Sequence, residues 1–170
     1  SGAFLASGSW DSTVRLWSAN GDGSDVVIQI LAGHTDYVIA VAFSPSGAFL
    51  ASGSNDDTVR LWSANGDGSD IVIQVMAGYT DDVKAVAFSP SGAFLASGSW
   101  DSPVRLCSAN GDGSDVVIQI LAGHTDYVIA VAFSPSGPFL ASGSNDDLVC
   151  LWRPHSQGSD SVIQVRSRNI

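Results

Sequence analysis

Charged residues are scarce in this 170-residue chain, and most of those present are acidic. They make up 14% of the sequence, against about 25% in typical soluble domains. All 17 acids are aspartate, only 7 residues are Lys or Arg, and the formal net charge is −10. Because there is no basic stripe to neutralise phosphates, nucleic acid and anionic membrane surfaces are excluded as partners.

Long apolar runs and cysteines are equally sparse. No run approaches the roughly 18 apolar residues that a membrane span needs, and no basic start precedes a hydrophobic stretch. Two cysteines, Cys107 and Cys150, cannot define a disulfide framework in a chain of this size. The compartment stays open, with a soluble cytoplasmic protein slightly favoured. Since the sequence opens at Ser1 without a methionine, we expect a processed protein or a piece of a longer one.

The sequence is dominated by a repeat of 45 residues. The segment SGAFLASGS begins at positions 1, 46 and 91, and SGPFLASGS begins at 136. A longer period of 90 residues is superimposed, because the turns alternate between Ser-Trp-Asp-Ser and Ser-Asn-Asp-Asp. We therefore interpret the chain as one repeat domain, 1–170, with the units 1–45, 46–90, 91–135 and a truncated 136–170.

Each repeat contains four runs of strand length separated by turn residues, a pattern typical of all-β proteins. The apolar run 38–43 predicts a strand buried on both faces. In the turn 44–47 that follows, proline fixes the first corner and Gly47 is free to take a positive φ. Three more strands are predicted, with burial decreasing towards the last, over 49–54, 58–62 and 71–75. Four strands cannot bury both faces alone, so we expect the units to stack radially around a channel.

Three short motifs recur together through nearly the whole chain. They are GHTDYV at 33 and 123, AVAFSPSG at 40, 85 and 130, and LASGS followed by an aspartate and then LW. In this combination the chain resembles the WD-repeat β-propeller family. The resemblance implies an all-β propeller of four-stranded antiparallel blades, with about four blades in this chain. The first blade would lack its innermost strand, because the sequence begins at the second one.

In this family a histidine, a serine or threonine, an aspartate and a tryptophan form a hydrogen-bonded network that makes each blade rigid. The resemblance implies that role for two sets of residues: His34, Ser52, Asp56 and Trp62, and again His124, Ser142, Asp146 and Trp152. The blade between them departs from the pattern, since Tyr79 replaces the histidine and Cys107 the tryptophan. We expect that blade to be the least rigid.

The resemblance also brings two turns of every blade to one face around the channel mouth, where family members commonly contact partners. The positions concerned are Trp10, Tyr37, Asn55, Asp82, Trp100, Tyr127 and Asn145. Aromatic side chains on exposed turns are typical of binding hot spots. The alternative is that Trp10 and Trp100 only pack against neighbouring loops, since their recurrence follows from duplication.

Catalysis and metal binding find little support in the sequence. Two of the three histidines belong to the implied network, and His155 stands alone without a nucleophile or metal-ligand spacing. The loop 20–25, repeated at 65–70 and 110–115, resembles a calcium loop but lacks its sixth-position glycine and twelfth-position acid. We expect a solvated turn there, no enzymatic activity, no cofactor and no metal, although calcium binding by these loops stays open.

Two kinds of binding function fit these features. The first is a scaffold whose channel-mouth face holds a protein or a basic peptide, because the acidic charge would steer such a partner. The alternative is a multivalent lectin, in which Trp or Tyr stacks on a sugar while Asp and Asn bind its hydroxyls. A third possibility is that the chain is a fragment or an engineered repeat protein and has no evolved ligand.

Four blades would each have to cover about 90° to close a ring, which is twice the angle in an eight-bladed propeller. We therefore expect a homo-oligomer, such as a dimer that completes eight blades, or a fragment of a longer propeller.

Overall fold

The computed structural model describes residues 4–18, 26–64, 72–109, 117–154 and, by its backbone, 162–167. These segments contain fifteen strands, which form four antiparallel sheets. None of the described segments is helical, so this part of the chain offers no helix that could cross a membrane.

The strands follow one another in chain order within each sheet, and we call the sheets blades 1 to 4. Blade 1 contains β1 (Phe4–Gly8), β2 (Val14–Ser18) and β3 (Val27–Leu31). Blade 2 contains β4 (Val38–Phe43), β5 (Phe49–Ser54), β6 (Val59–Ser63) and β7 (Val72–Met76). Blade 3 contains β8 (Val83–Phe88), β9 (Phe94–Ser99), β10 (Val104–Ser108) and β11 (Val117–Leu121). Blade 4 contains β12 (Val128–Phe133), β13 (Leu140–Ser144), β14 (Leu148–Trp152) and β15 (Val162–Ser167).

The predicted all-β fold and strand pattern are confirmed. In blade 2, β4 and β5 have the predicted bounds, and β6 and β7 are shifted by one residue. The turn before β5 also forms as expected, with the amide of Gly47 donating to the Ser44 carbonyl at 2.8 Å and a φ of 74° at Gly47. The described part of blade 1 has three strands and lacks the innermost one. The segment 46–90 supplies β5, β6 and β7 to blade 2 and β8 to blade 3.

Burial is greatest in the middle strands of a blade, so the predicted decrease from the first strand to the last is wrong. β4, predicted to be buried on both faces, leaves 40% of Ile39 exposed. By contrast, β5 is buried from Leu50 to Ser54. The reason is that β5 has a strand on each edge, whereas β4 pairs on one edge only.

The hydrophobic core lies between successive blades. Val59 and Leu61 of blade 2 pack with Val83 and Leu95 of blade 3 in one buried cluster. Equivalent clusters join blade 1 to blade 2 and blade 3 to blade 4. Among the described residues no such cluster joins blade 4 to blade 1, so the four blades form an open arc.

Candidate binding face and the networks beneath it

The seven residues predicted at the channel mouth lie side by side in one row, which we call the contact row. At the junction of blades 1 and 2, the rings of Trp10 and Tyr37 stack with centroids 5.3 Å apart. At the junction of blades 3 and 4, Trp100 and Tyr127 stack with centroids 4.7 Å apart. Each tryptophan therefore does pack against a neighbouring blade, yet Trp10 remains 76% exposed.

Backbone hydrogen bonds hold together the two turns of blades 2, 3 and 4. In three blades the amide after the second strand donates to the carbonyl of the residue before the first strand, at 2.9 to 3.0 Å: Asn55 to Tyr37, Trp100 to Asp82, and Asn145 to Tyr127. These bonds and the ring stacks set the order of the contact row. Along the arc it runs Trp10, Tyr37, Asn55, Asp82, Trp100, Tyr127 and Asn145.

Lys84 bridges the middle of the contact row, although it was not among the residues predicted from the sequence. Its ammonium lies 4.0 Å from the centre of the Trp100 ring, 2.8 Å from Asp82 Oδ2 and 3.0 Å from Asn55 Oδ1. A signal was available, because Lys84 is the only lysine in the chain and stands where blades 2 and 4 have Ile39 and Ile129.

A group of three carboxylates lies beside this lysine. Oxygens of Asp57, Asp81 and Asp82 all lie within 4.8 Å of one another. Partial desolvation, together with the charges of Asp82 and Asp81, raises the pKa of Asp57. Of these three only Asp82 was predicted as a contact. The centre of the contact row is therefore strongly acidic, and Lys84 is the cation of the described segments that lies against it.

The predicted network residues of blade 2 form a continuous chain of hydrogen bonds. The indole Nε1–H of Trp62 donates to Ser52 Oγ at 2.8 Å, and Ser52 Oγ lies 2.7 Å from His34 Nε2. His34 Nδ1 lies 2.8 Å from Asp56 Oδ2. Because the ionised Asp56 carboxylate can only accept, the imidazole carries its proton on Nδ1, and in the neutral ring Nε2 accepts from the Ser52 hydroxyl.

Asp56 also builds the turn that carries Asn55. Its carboxylate accepts from the backbone amides of Thr35 and Thr58, at 2.9 and 3.1 Å, and from the Thr58 hydroxyl at 2.6 Å. Burial alone would raise the pKa of Asp56, but these bonds and the one from His34 hold it below its ordinary value. Burial lowers the pKa of His34, against the opposing effect of Asp56. The network thus stays neutral at histidine and ionised at aspartate while it anchors the contact row.

Blade 4 repeats this geometry. Both Trp152 Nε1 and His124 Nε2 lie 2.7 Å from Ser142 Oγ, and His124 Nδ1 lies 2.9 Å from Asp146 Oδ2. Cys150 stands where blade 2 has Arg60, and its thiol is 3.8 Å from His124 Nδ1. Burial raises the pKa of this thiol.

Blade 3 replaces the network rather than simply losing it. The Tyr79 hydroxyl lies 2.6 Å from Ser97 Oγ, and burial raises the pKa of Tyr79. Arg105 forms an ion pair with Asp101 at 2.7 Å and lies 4.4 Å from the centre of the Tyr79 ring. Cys107 fills a buried position in the core where the other blades have tryptophan. The lower rigidity expected of this blade stays a prediction.

Several predicted features lie outside the described residues: His155 and the loops 20–25, 65–70 and 110–115. Cys107 and Cys150 are buried thiols that are not joined in a disulfide.

Four antiparallel sheets of this strand order, packed face to face, define a protein of the β-propeller class. The family model described as WD domain, G-beta repeat matches residues 1–18, 25–63, 71–113 and 115–153, and the chain therefore belongs to the WD40 repeat family. WD40 repeats indicate a non-enzymatic scaffold for protein interaction. A search among curated proteins found no match.

Proposed function

We propose that this chain is a non-enzymatic scaffold whose contact row, at the channel mouth, binds a basic segment of another protein. The observation that carries the proposal is the setting of Lys84. Its ammonium contacts the Trp100 ring, the Asp82 carboxylate and the Asn55 amide oxygen. An aromatic face with an adjacent carboxylate is the arrangement that attracts the ammonium or guanidinium of a partner.

The stack of Trp10 on Tyr37 offers a second aromatic platform for a cation. Trp10 is largely exposed, and in the described part of the chain no cation lies over its ring. A lysine or arginine placed over such a ring gains about 0.5 to 1 kcal/mol at an exposed site and more when desolvated. The formal charge of −10 adds long-range attraction for a basic segment and raises its association rate.

Fluorescence anisotropy with a labelled synthetic peptide of alternating lysine and glycine tests the proposal, with a glutamate-glycine peptide as control. We expect binding of the basic peptide alone, weakening as salt increases. Trp10→Ala should weaken it about twofold to fivefold. Equal binding of the acidic peptide would refute the proposal.

Lys84→Ile gives the sharper test, because it copies the residue found in blades 2 and 4 and frees Asp82, Asn55 and the Trp100 ring. We expect affinity for the basic peptide to rise about tenfold. Arg153→Gln is the matched control, since it also removes one positive charge. Arg153 is exposed and follows the end of β14, whereas Asn145 of the contact row precedes the start of that strand. Equal effects of the two variants would mean that net charge alone governs binding.

Carbohydrate binding is the second candidate, and the stacked, exposed pair of Trp10 and Tyr37 favours it. A sugar ring packs on such a surface, while carboxylate and amide groups like those of Asp82 and Asn55 hydrogen-bond its hydroxyls. Binding on a glycan array that is insensitive to salt would support this function over the first. Failure of both assays would favour a fragment or engineered repeat protein without an evolved ligand. Formation of a homo-oligomer is a separate proposal, because it would use the two ends of the arc rather than the contact row.

A further inference from the structure

Successive blades meet through the same contact three times. In blades 1 to 3 a glycine lies on β1, β5 or β9, and a valine γ-methyl from the first strand of the next blade packs directly on it. An ideal Cβ built on the glycine would lie only 2.6 to 2.8 Å from that methyl carbon, for the pairs Gly8 and Val38, Gly53 and Val83, and Gly98 and Val128. A side chain at any of these three positions would therefore displace the valine of the next blade.

Blade 4 carries the same surface without an occupant among the described residues. An ideal Cβ on Gly143 would meet nothing nearer than the Ala130 Cβ at 3.9 Å, which belongs to the same blade. A cavity of about 360 Å³ opens there, lined by Ile129, Gly143 and Val149 among others. Val149 is 49% exposed and Ile129 is 50% exposed. Val14, Val59 and Val104, which occupy the position of Val149 in the other blades, are fully buried.

The opposite end of the arc exposes the complementary surface. Leu5 in β1 is 59% exposed. The equivalent leucines of the other blades are completely or almost completely buried against the preceding blade: Leu50, Leu95 and Leu140. Both ends of the arc therefore carry apolar groups that the three internal junctions bury.

We propose that the end face of blade 4 around Val149 and Gly143 binds the blade 1 face around Leu5 of a second copy of this chain, head to tail. The partner is specified by the molecule itself, because the two surfaces are further copies of surfaces that already pack together at three junctions. Two arcs of four blades can close through two such contacts into a ring of eight blades, within the four to eight blades usual for propellers.

The junction between copies lacks one part of the internal junctions. Blade 1 has no described strand equivalent to β4, so it brings no valine to Gly143. The contact instead joins Leu5 to the apolar surface around Val149. We therefore expect a dimer that dissociates on dilution rather than a permanent one.

Light scattering coupled to size exclusion, over a range of concentrations, tests the proposal on the whole chain. At about 100 µM we expect twice the 17.5 kDa mass of the chain, decreasing on dilution. A mass of one chain at every concentration would overturn the proposal.

Val149→Asp and Leu5→Asp test which surfaces meet. Both side chains are largely exposed within one chain, so each variant should fold and yet raise the dissociation constant at least about tenfold. Because the contact is head to tail, mixing the two variants leaves one intact junction and should restore a dimer. Ile120→Asp is the matched control, since Ile120 is 50% exposed on the outermost strand of blade 3. Unchanged dimerisation of either end variant, or no dimer in the mixture, would refute the head-to-tail contact.

Discussion

Replacing Ser52 by alanine measures how much the buried network stabilises a blade. Ser52 Oγ lies 2.7 Å from His34 Nε2 and 2.8 Å from Trp62 Nε1, and the serine is completely buried. Its removal leaves an imidazole nitrogen and an indole N–H without a partner. Each buried polar group left unsatisfied costs about 1 to 3 kcal/mol. Allowing for relaxation of the neighbours, we expect the free energy of unfolding to fall by about 2 to 4 kcal/mol.

Two equivalent serines provide an internal scale for this effect. Ser97 is also buried, but the tryptophan that bonds Ser52 is replaced by Cys107 in this blade and the strong partner is the Tyr79 hydroxyl at 2.6 Å, so Ser97→Ala should cost about 1 to 2 kcal/mol. Ser7 is half-buried and accepts from Trp17 Nε1 at 3.0 Å, so Ser7→Ala should cost about 0.5 to 1 kcal/mol. The same substitution in the same strand position thus predicts three different losses.

Thermal unfolding followed by calorimetry and tryptophan fluorescence reads out this series. For a chain of this size, 1 kcal/mol corresponds to about 2 to 4 °C in Tm, so Ser52→Ala should lower Tm by about 4 to 16 °C. A loss for Ser7→Ala as large as that for Ser52→Ala would refute the reasoning. It would mean that the hydroxyl matters through local backbone effects rather than through the groups it joins.

Two further perturbations follow from the same contacts. The pKa values of His34 and Asp56 both lie below their ordinary values of 6.5 and 3.8, so the unfolded chain takes up protons first as pH falls. The contribution of both groups to the free energy of unfolding should be fully present above about pH 7, decrease as pH falls through about 6.5, and decrease again below about pH 4. A constant Tm between pH 7.5 and 5 would contradict this. Gly53→Ala should lower the free energy of unfolding by about 1 to 3 kcal/mol, because Val83 leaves no room for the new methyl. Gly143→Ala should leave monomer stability nearly unchanged, and denaturant unfolding of the two variants at low concentration checks the difference.

The strands could be predicted from sequence because their signals are local. A continuous apolar run that ends at the Pro-Gly turn predicts β4, and the short run between that turn and the Asn-Asp turn predicts β5, both to the residue. Burial could not be predicted in the same way. Ile39 stands in an almost continuous apolar run, yet its exposure depends on how many strands and blades surround it. A sequence window contains no information on those neighbours.

The contact row shows the same division between local and non-local information. Its positions followed from the motif, but the role of Lys84 depends on Asn55, which lies in the preceding blade and 29 residues away in sequence. Blade 3 is a similar case. The loss of histidine and tryptophan was evident from the sequence. The compensating residue, Arg105, was not, because blades 1 and 2 also have an arginine at this position, Arg15 and Arg60, and only the structure shows that Arg105 packs on Tyr79.

The two sequence periods correspond to two different physical requirements. The core between blades and the turn aspartates repeat every 45 residues, because every junction has to be packed in the same way. The contact row repeats every 90, with aromatic stacks at the first and third junctions and the Lys84 cluster between them. Nothing in the packing demands this doubling, since Trp and Asn occupy the same turn equally well. Under the proposed function, a partner would meet two aromatic platforms on either side of an acidic centre. Exchanging Trp10 for asparagine should therefore change what is bound while the blade keeps its fold.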